Sequence, residues 1–222
     1  MNGMRIRGIG AYAPPDAISN EDIAVMLQAE MERELERRAR IGFPPLSAQE
    51  VKAFRTTDRW GRMNIGFSSR RFVNKGEGTI DLAFRASKLL LSGLAVDPSE
   101  IDAIIFATVT PSYLNSPPDA NLLQDLLGIP KEVFIVDTSL ACSSWVASLT
   151  LAYSLISSGL RKNVLLIGAD AMSTTINWRD RAFACVFGDA GTATLCSATD
   201  IHEDWFGLDR FYSYSEIGRA HV

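Results

Sequence analysis

The apolar positions of the chain change period several times, and the changes mark out its elements. Arg5 to Tyr12 alternates, which predicts a short strand ending at Pro14-Pro15. Asn20 is placed as the N-cap of a helix that opens with Glu21 and Asp22, acidic residues that suit the positive end of the helix dipole. That helix runs on through the charged stretch Met31-Glu-Arg-Glu-Leu-Glu-Arg-Arg, read as a solvated face with i,i+4 ion pairs. Pro44-Pro45 breaks it, and Ser47 caps a second, short helix toward Phe54. Thr57 to Gly78, punctuated by glycines and rich in arginine, reads as loop. Ile80, Phe84, Leu89, Leu90 and Leu91 fit a helix over 80–94 packed on a sheet.

The near-continuous apolar run from Ile101 to Thr108 is that of a strand covered on both faces. A loop with Pro111, Pro117 and Pro118 leads to a helix around 120–127, and Val133 to Val136 reads as a short buried strand. Trp145, Leu149, Ala152, Leu155 and Ile156 then recur at helical spacing until Gly159. Val164-Leu-Leu-Ile-Gly is a further buried strand. Phe183–Phe187 and Thr192–Cys196 read as two more, joined through Gly188-Asp-Ala-Gly191. Alternating strands and helices from about 80 to 170 predict an α/β fold with a parallel or mixed sheet and right-handed crossovers.

Composition narrows the function classes. The 222 residues suffice for one or two domains, with 47% hydrophobic and 22% charged residues. A net charge of −4 gives no electrostatic reason to expect a nucleic-acid partner. No apolar run approaches the length of a membrane span, and Met1-Asn-Gly-Met-Arg-Ile-Arg lacks the apolar core of a secretory signal. Three cysteines, Cys142, Cys185 and Cys196, form neither an even disulfide framework nor a CxxC pair, which points to a reducing, cytoplasmic setting and offers no metal site.

Cys142 carries the chemistry. It lies in Asp137-Thr-Ser-Leu-Ala-Cys142-Ser-Ser-Trp145, where the strand pattern gives way to the helical one. A thiol at a helix N-terminus meets unpaired backbone N–H groups and the positive end of the dipole, which favour the nucleophilic thiolate. On spacing alone it is either a nucleophile or a small packed hydrophobe. Cys185 and Cys196 sit inside apolar strand patterns and read as inert core residues.

The Cys142 segment, Ser157-Ser-Gly-Leu, Val164-Leu-Leu-Ile-Gly-Ala-Asp, and Asp180-Arg181 followed by Phe187-Gly-Asp-Ala-Gly191 stand in the order and spacing of a ketoacyl synthase. With Trp60, Gly66 and Arg70, they make the chain resemble β-ketoacyl-acyl-carrier-protein synthase III and its thiolase-superfamily relatives over about 4–27 and 55–215. The resemblance implies a thiolase-like layered fold, α-β-α-β-α in the complete protein. Residues 1–198 would be its N-terminal half with a charged helical insertion at about 28–54, and 199–215 the start of the link to a C-terminal half. It also implies an acyltransferase of fatty acid or polyketide biosynthesis, homodimeric when complete. The enzyme would act on acyl-CoA or an acyl-acyl-carrier protein, with no permanently bound cofactor and coenzyme A thioester as substrate. Cys142 matches the nucleophile and its backbone N–H part of the oxyanion hole. A malonyl thioester then loses carbon dioxide, and its carbanion attacks the acyl carbon. Trp60 matches a residue stacked on the adenine of coenzyme A and Arg181 one beside the nucleotide. Read from the residues alone, Trp60 is equally a loop anchor and Arg181 a surface ion pair with Asp180 or Asp189.

Three departures from the pattern bear on function. Asn64 stands where close relatives carry an arginine near coenzyme A, which questions the donor. Ser116 falls about where they carry a phenylalanine that reaches across the dimer into the partner's acyl pocket; the small side chain implies room for a longer acyl group. The family's second half supplies a histidine and an asparagine that bind the malonyl thioester carbonyl, and neither His202 nor His221 lies in that context. Glu216 to Val222 resembles a translated sequencing adapter, so 216–222 is read as an artefact and the chain as a fragment inactive in condensation. Acyl transfer to a hydroxyl or amine, head-to-head acyl condensation, and a non-catalytic partner subunit are the alternatives.

Overall fold

The computed structural model describes residues 3–200. Five strands form the central sheet: β1 (Gly3–Tyr12), β4 (Ala103–Ala107), β5 (Phe134–Thr138), β6 (Asn163–Ala171) and β7 (Asp189–Thr199). Their order is β1-β7-β6-β4-β5, with β4 parallel to β5 and β6, and β7 antiparallel to β1 and β6. A two-stranded ribbon, β2 (Ala17–Ser19) against β3 (Ser69–Arg71), stands apart from it. The helices are α1 (Asn20–Arg40), α2 (Ala48–Ala53), α3 (Asp58–Asn64), α4 (Thr79–Leu94), α5 (Asp119–Leu127), α6 (Ser144–Ser157) and α7 (Arg181–Val186).

The continuous apolar runs of β4 and β6 follow from burial on both faces. Ile104, Phe106, Leu165 and Ile167 pack under α4 and α5, while Ala103, Ile105, Val164 and Leu166 pack on α6. Period-2 alternation thus assigns neighbouring residues to opposite cores. The architecture is layered α-β-α around a mixed sheet, an α/β fold as the alternating pattern predicted. α4 lies close on the sheet because Gly10 and Gly191 offer no side chain there. A Cβ at Gly10 would stand 2.5 Å from the Ala86 carbonyl oxygen, and one at Gly191 2.6 Å from the Leu82 backbone.

Several local expectations need correction. Ser19, not Asn20, caps α1: its hydroxyl accepts from the Asp22 N–H and Asp22 answers in a capping box. Asn20 is buried, its amide donating to Asp58 and the Phe67 carbonyl. The stretch 57–78 is not all loop, since it holds α3, capped by the Thr57 hydroxyl, and β3. Phe183–Phe187 is not a strand. Asp180 accepts from the Ala182 N–H and starts α7, so Cys185 is buried in a helix, while Cys196 is buried in β7 as expected. β5 is a half-buried edge strand rather than a fully covered one. His202, His221, most of the 199–215 link and the 216–222 tail lie outside the described residues.

Candidate active site

β5 and α6 place Cys142 between them, in the single 3-10 turn Ala141–Ser143. The turn forms because Ala141 takes a left-handed φ of +49°, unusual for a residue with a Cβ. The Ser144 hydroxyl accepts the Leu140 N–H at 2.6 Å, and the Ser143 N–H and hydroxyl both donate to the Leu140 carbonyl. Held this way, Cys142 is exposed at the N-terminal end of α6, unlike the buried Cys185 and Cys196. It is the one cysteine of the three with access to a reactant. Burial pushes the Cys196 thiol up to about 12, which keeps it protonated and inert.

Cys142 opens onto a cavity of about 600 Å³, within the usual range of small-molecule sites. Its walls are mostly apolar and backbone: Val109, Ala141, Gly168, Met172, Phe187 and Gly188. Gly188-Asp-Ala-Gly191 opens β7 beside the cysteine rather than joining two strands. Gly188 and Ala190 face the cavity, while the buried Asp189 carboxylate accepts the N–H groups of Val73 and Ser173. Asp170 closes one side. One of its oxygens accepts the Val109 N–H at 2.7 Å, the Thr110 N–H at 3.2 Å and the Thr108 and Thr110 hydroxyls.

Before the turn, the Asp137 carboxylate accepts the N–H groups of Asp119 and Ala120 and so caps α5. Burial pushes its carboxyl above the usual range, against the pull of those two N–H groups. Ser112 donates to Asp119 in turn, tying the 111–118 loop to the same point. Ser116 is exposed on that loop and is not among the residues that line the Cys142 cavity of its own chain.

Trp60 and Arg181 are brought together. The guanidinium carbon lies 4.4 Å from the ring centroid, and Arg181 donates to the Arg55 carbonyl at 2.8 Å. Asp180 caps α7 and Asp189 bonds elsewhere, so the surface ion pair expected from sequence alone does not form. Neither Trp60 nor Arg181 lines the Cys142 cavity. Arg181 opens the six-residue α7, and Phe187 and Gly188, just past its other end, line the cavity. Asn64 turns back on its own helix, donating to the Trp60 carbonyl at 2.8 Å.

Sequence reasoning missed Ala141, Asp170 and Phe187. Asp170 and Phe187 do end and open two of the motifs quoted for the resemblance; the strained φ of Ala141 leaves no mark in the sequence. Among the described residues no group of three His, Cys, Asp or Glu side chains is placed to hold a metal ion. Nor is any helix there long and apolar enough to cross a membrane.

The family model of 3-oxoacyl-[acyl-carrier-protein] synthase III matches residues 136–211, from the end of β5 through Cys142 and β7. The β-ketoacyl-[acyl-carrier-protein] synthase III of a Sulfurovum species is 35% identical over 200 residues, 90% of this chain and 51% of that protein. That of Phocaeicola vulgatus is 35% identical over 205 residues, 92% of this chain and 52% of its own length. The crystal structure of 3-oxoacyl-[acyl-carrier-protein] synthase III from Aquifex aeolicus superposes with a TM-score of 0.72 at 31% identity, covering 89% of this chain and 54% of that one. In sequence and in fold the chain is similar to β-ketoacyl-[acyl-carrier-protein] synthase III proteins, and it spans about half the length of those it matches.

Proposed function

We propose that Cys142 is the nucleophile of a synthase III-type acyltransferase. The observation that carries this is an exposed cysteine at the N-terminal end of α6, opening onto a mostly apolar cavity of about 600 Å³. Its sulfur attacks the carbonyl carbon of an acyl thioester, with negative charge building on the carbonyl oxygen. The Cys142 backbone N–H forms part of the oxyanion hole. The donor's carbon–sulfur bond then breaks, and coenzyme A leaves as a thiolate that takes up a proton. In the complete protein, a malonyl thioester loses carbon dioxide and its carbanion attacks the acyl carbon. Cys142 departs as the new carbon–carbon bond forms. No histidine or asparagine lines the Cys142 cavity among the described residues. The described part of the chain therefore supports acylation alone, and condensation needs donors from elsewhere.

The Trp60–Arg181 stack is the contact for the nucleotide of coenzyme A, an aromatic face and a cation suited to a base and its phosphates. Ser116 on its exposed loop serves the acyl pocket of a second copy, and its small side chain admits longer or bulkier acyl groups than acetyl. The homodimer reading has a ready surface in β5, which is an edge strand of the sheet among the described residues. Residues 1–198 form one thiolase-like half. α6 is rich in apolar residues, and its outward face, with Val146 exposed and the Thr150 and Ser154 hydroxyls turned back onto helix carbonyls, packs on a second half.

Incubation with acyl-CoA followed by peptide mass mapping tests the core of this reading. An acyl adduct on Cys142 alone, absent from Cys142→Ser, is the expected result. An unmodified Cys142, or equal labelling of Cys185, would overturn it. A chain-length series with strict acetyl preference would remove the role given to Ser116.

A further inference from the structure

α1 extends more than two turns past Met31, the last apolar residue of its core stripe, and the extension begins with a buried charge. Asn20, Ile23, Leu27 and Met31 form the inward stripe at i+3 and i+4 spacing, and the next position on it is Glu34, only 3% exposed. Its carboxylate receives three guanidinium groups. Arg37 binds it bidentately at 2.8 Å, Arg38 reaches Oε1 at 3.0 Å, and Arg179 reaches Oε2 at 3.1 Å. Arg37 and Arg38 are its own helix neighbours. Arg179 comes from the turn just before α7, two residues from Arg181.

The other arm of the network reaches the same stack from the opposite side. Arg38 also binds Glu50 at 2.6 Å, and Glu50 completes the capping box that starts α2. α2 leads into Arg55, whose carbonyl accepts from Arg181. Trp178 adds an apolar anchor, edge-on to Phe72 at 6.0 Å. A buried carboxylate with three guanidinium partners is weak evidence for stability, because desolvation offsets much of the attraction. Its better-attested use is to fix one arrangement out of several, and here the arrangement fixed is that of Arg181 over Trp60.

We infer that Glu34 and Arg179 are positioning residues that tie the charged segment 28–54 to the turn that leads into Arg181 at the start of α7, and so preorganise the nucleotide contact of a coenzyme A thioester. This rests on the proposed role of Trp60 and Arg181. A turn held in place before the ligand arrives spares the ligand the cost of ordering it. The ligand's acyl and thioester end, at Cys142, lies beyond α7 and is not touched by the network.

The test compares acylation of Cys142 by acyl-CoA with acylation by the matching acyl-N-acetylcysteamine thioester, which lacks the nucleotide. Glu34→Gln and Arg179→Met are expected to raise the half-saturating acyl-CoA concentration about tenfold, the size of one loosened cation–π contact. The rate with the short thioester should stay at the parent value, and Arg179→Lys should recover part of the loss. An unchanged acyl-CoA dependence in both variants overturns the inference. So does a parallel loss with both thioesters, which would mean a structural role only. Arg179 is half exposed, so its variant stays informative if Glu34→Gln fails to fold. Trp60→Ala separates the two levels of argument. If it and the parent protein show no preference for acyl-CoA over the short thioester, the nucleotide contact itself is wrong and the positioning role falls with it.

Discussion

Asp170 offers the sharpest test of how the cavity wall is held. One carboxylate oxygen at the end of β6 gathers four donors from the Thr108–Thr110 segment: two N–H groups at 2.7 and 3.2 Å and two hydroxyls at 2.9 and 3.1 Å. Asp170→Asn keeps an oxygen in place and removes the charge. A hydrogen bond to a charged group contributes about 1.5–3 kcal/mol and a neutral one about 0.5–1.5 kcal/mol, so the two shortest bonds together lose about 2 kcal/mol. Asp170→Ala removes the acceptor altogether. It leaves the Val109 N–H and the buried Thr108 hydroxyl without an acceptor, while the Thr110 N–H keeps the Thr108 hydroxyl at 3.0 Å, and the expected cost rises to about 3–4 kcal/mol. Urea titration followed by intrinsic fluorescence reads both values. Val109 and Cys142 share the cavity, so the iodoacetamide rate at Cys142 should rise in the same order as the wall loosens. An Asp170→Asn protein within about 0.5 kcal/mol of the parent, the spread of ordinary surface substitutions, with an unchanged alkylation rate, would refute the reasoning.

The native protein should take up one equivalent of iodoacetamide at pH 8, none as Cys142→Ser, and three after denaturation, since only Cys142 is exposed among the three cysteines; alkylation counted by intact mass checks this. Gly191→Ala should destabilise by about 2–3 kcal/mol as its new methyl group meets the Leu82 backbone 2.6 Å away. Gly93→Ala, at an exposed position of α4 with nothing within 4 Å, should instead stabilise by about 0.5–1 kcal/mol; chemical denaturation of the pair checks the close approach of α4 to the sheet. The bonds from Arg37 and Arg38 hold Glu34 down from the ordinary 4.5 to about 2, and the Ser47 N–H and Arg38 do the same for Glu50. The folded state then binds fewer protons than the unfolded, so this contribution is whole above pH 4.5 and lost as pH falls toward 2. Urea midpoints across that window should drop less steeply for Glu34→Gln, and an identical slope would count against the network.

What was legible in the sequence, and what was not, divides along a physical line. β4, β6, α4 and α6 were readable because each buries a face or both faces against regular neighbours, so the period of the apolar residues is the signal itself. Cys142 was readable for the same reason: it stands where one period gives way to another. α7 was misread because Arg-Ala-Phe-Ala-Cys-Val has six residues and no period to judge. Its helix follows from the Asp180 cap and from docking on Ile23 and Leu27, which are far away in sequence. α3 was read as loop for a like reason, since Asp58 is held by Asn20 from thirty-eight residues earlier. Glu34 is the most instructive case. Its neighbours made it look like one more solvated charge, and only the tertiary position of Arg179 reveals that it continues the buried stripe of α1. A charge on the apolar register of a helix is therefore a question about what approaches from outside that helix. Here what approaches is Arg179 in the turn that leads into Arg181, and this links the segment that looked least functional to the contact proposed for the substrate.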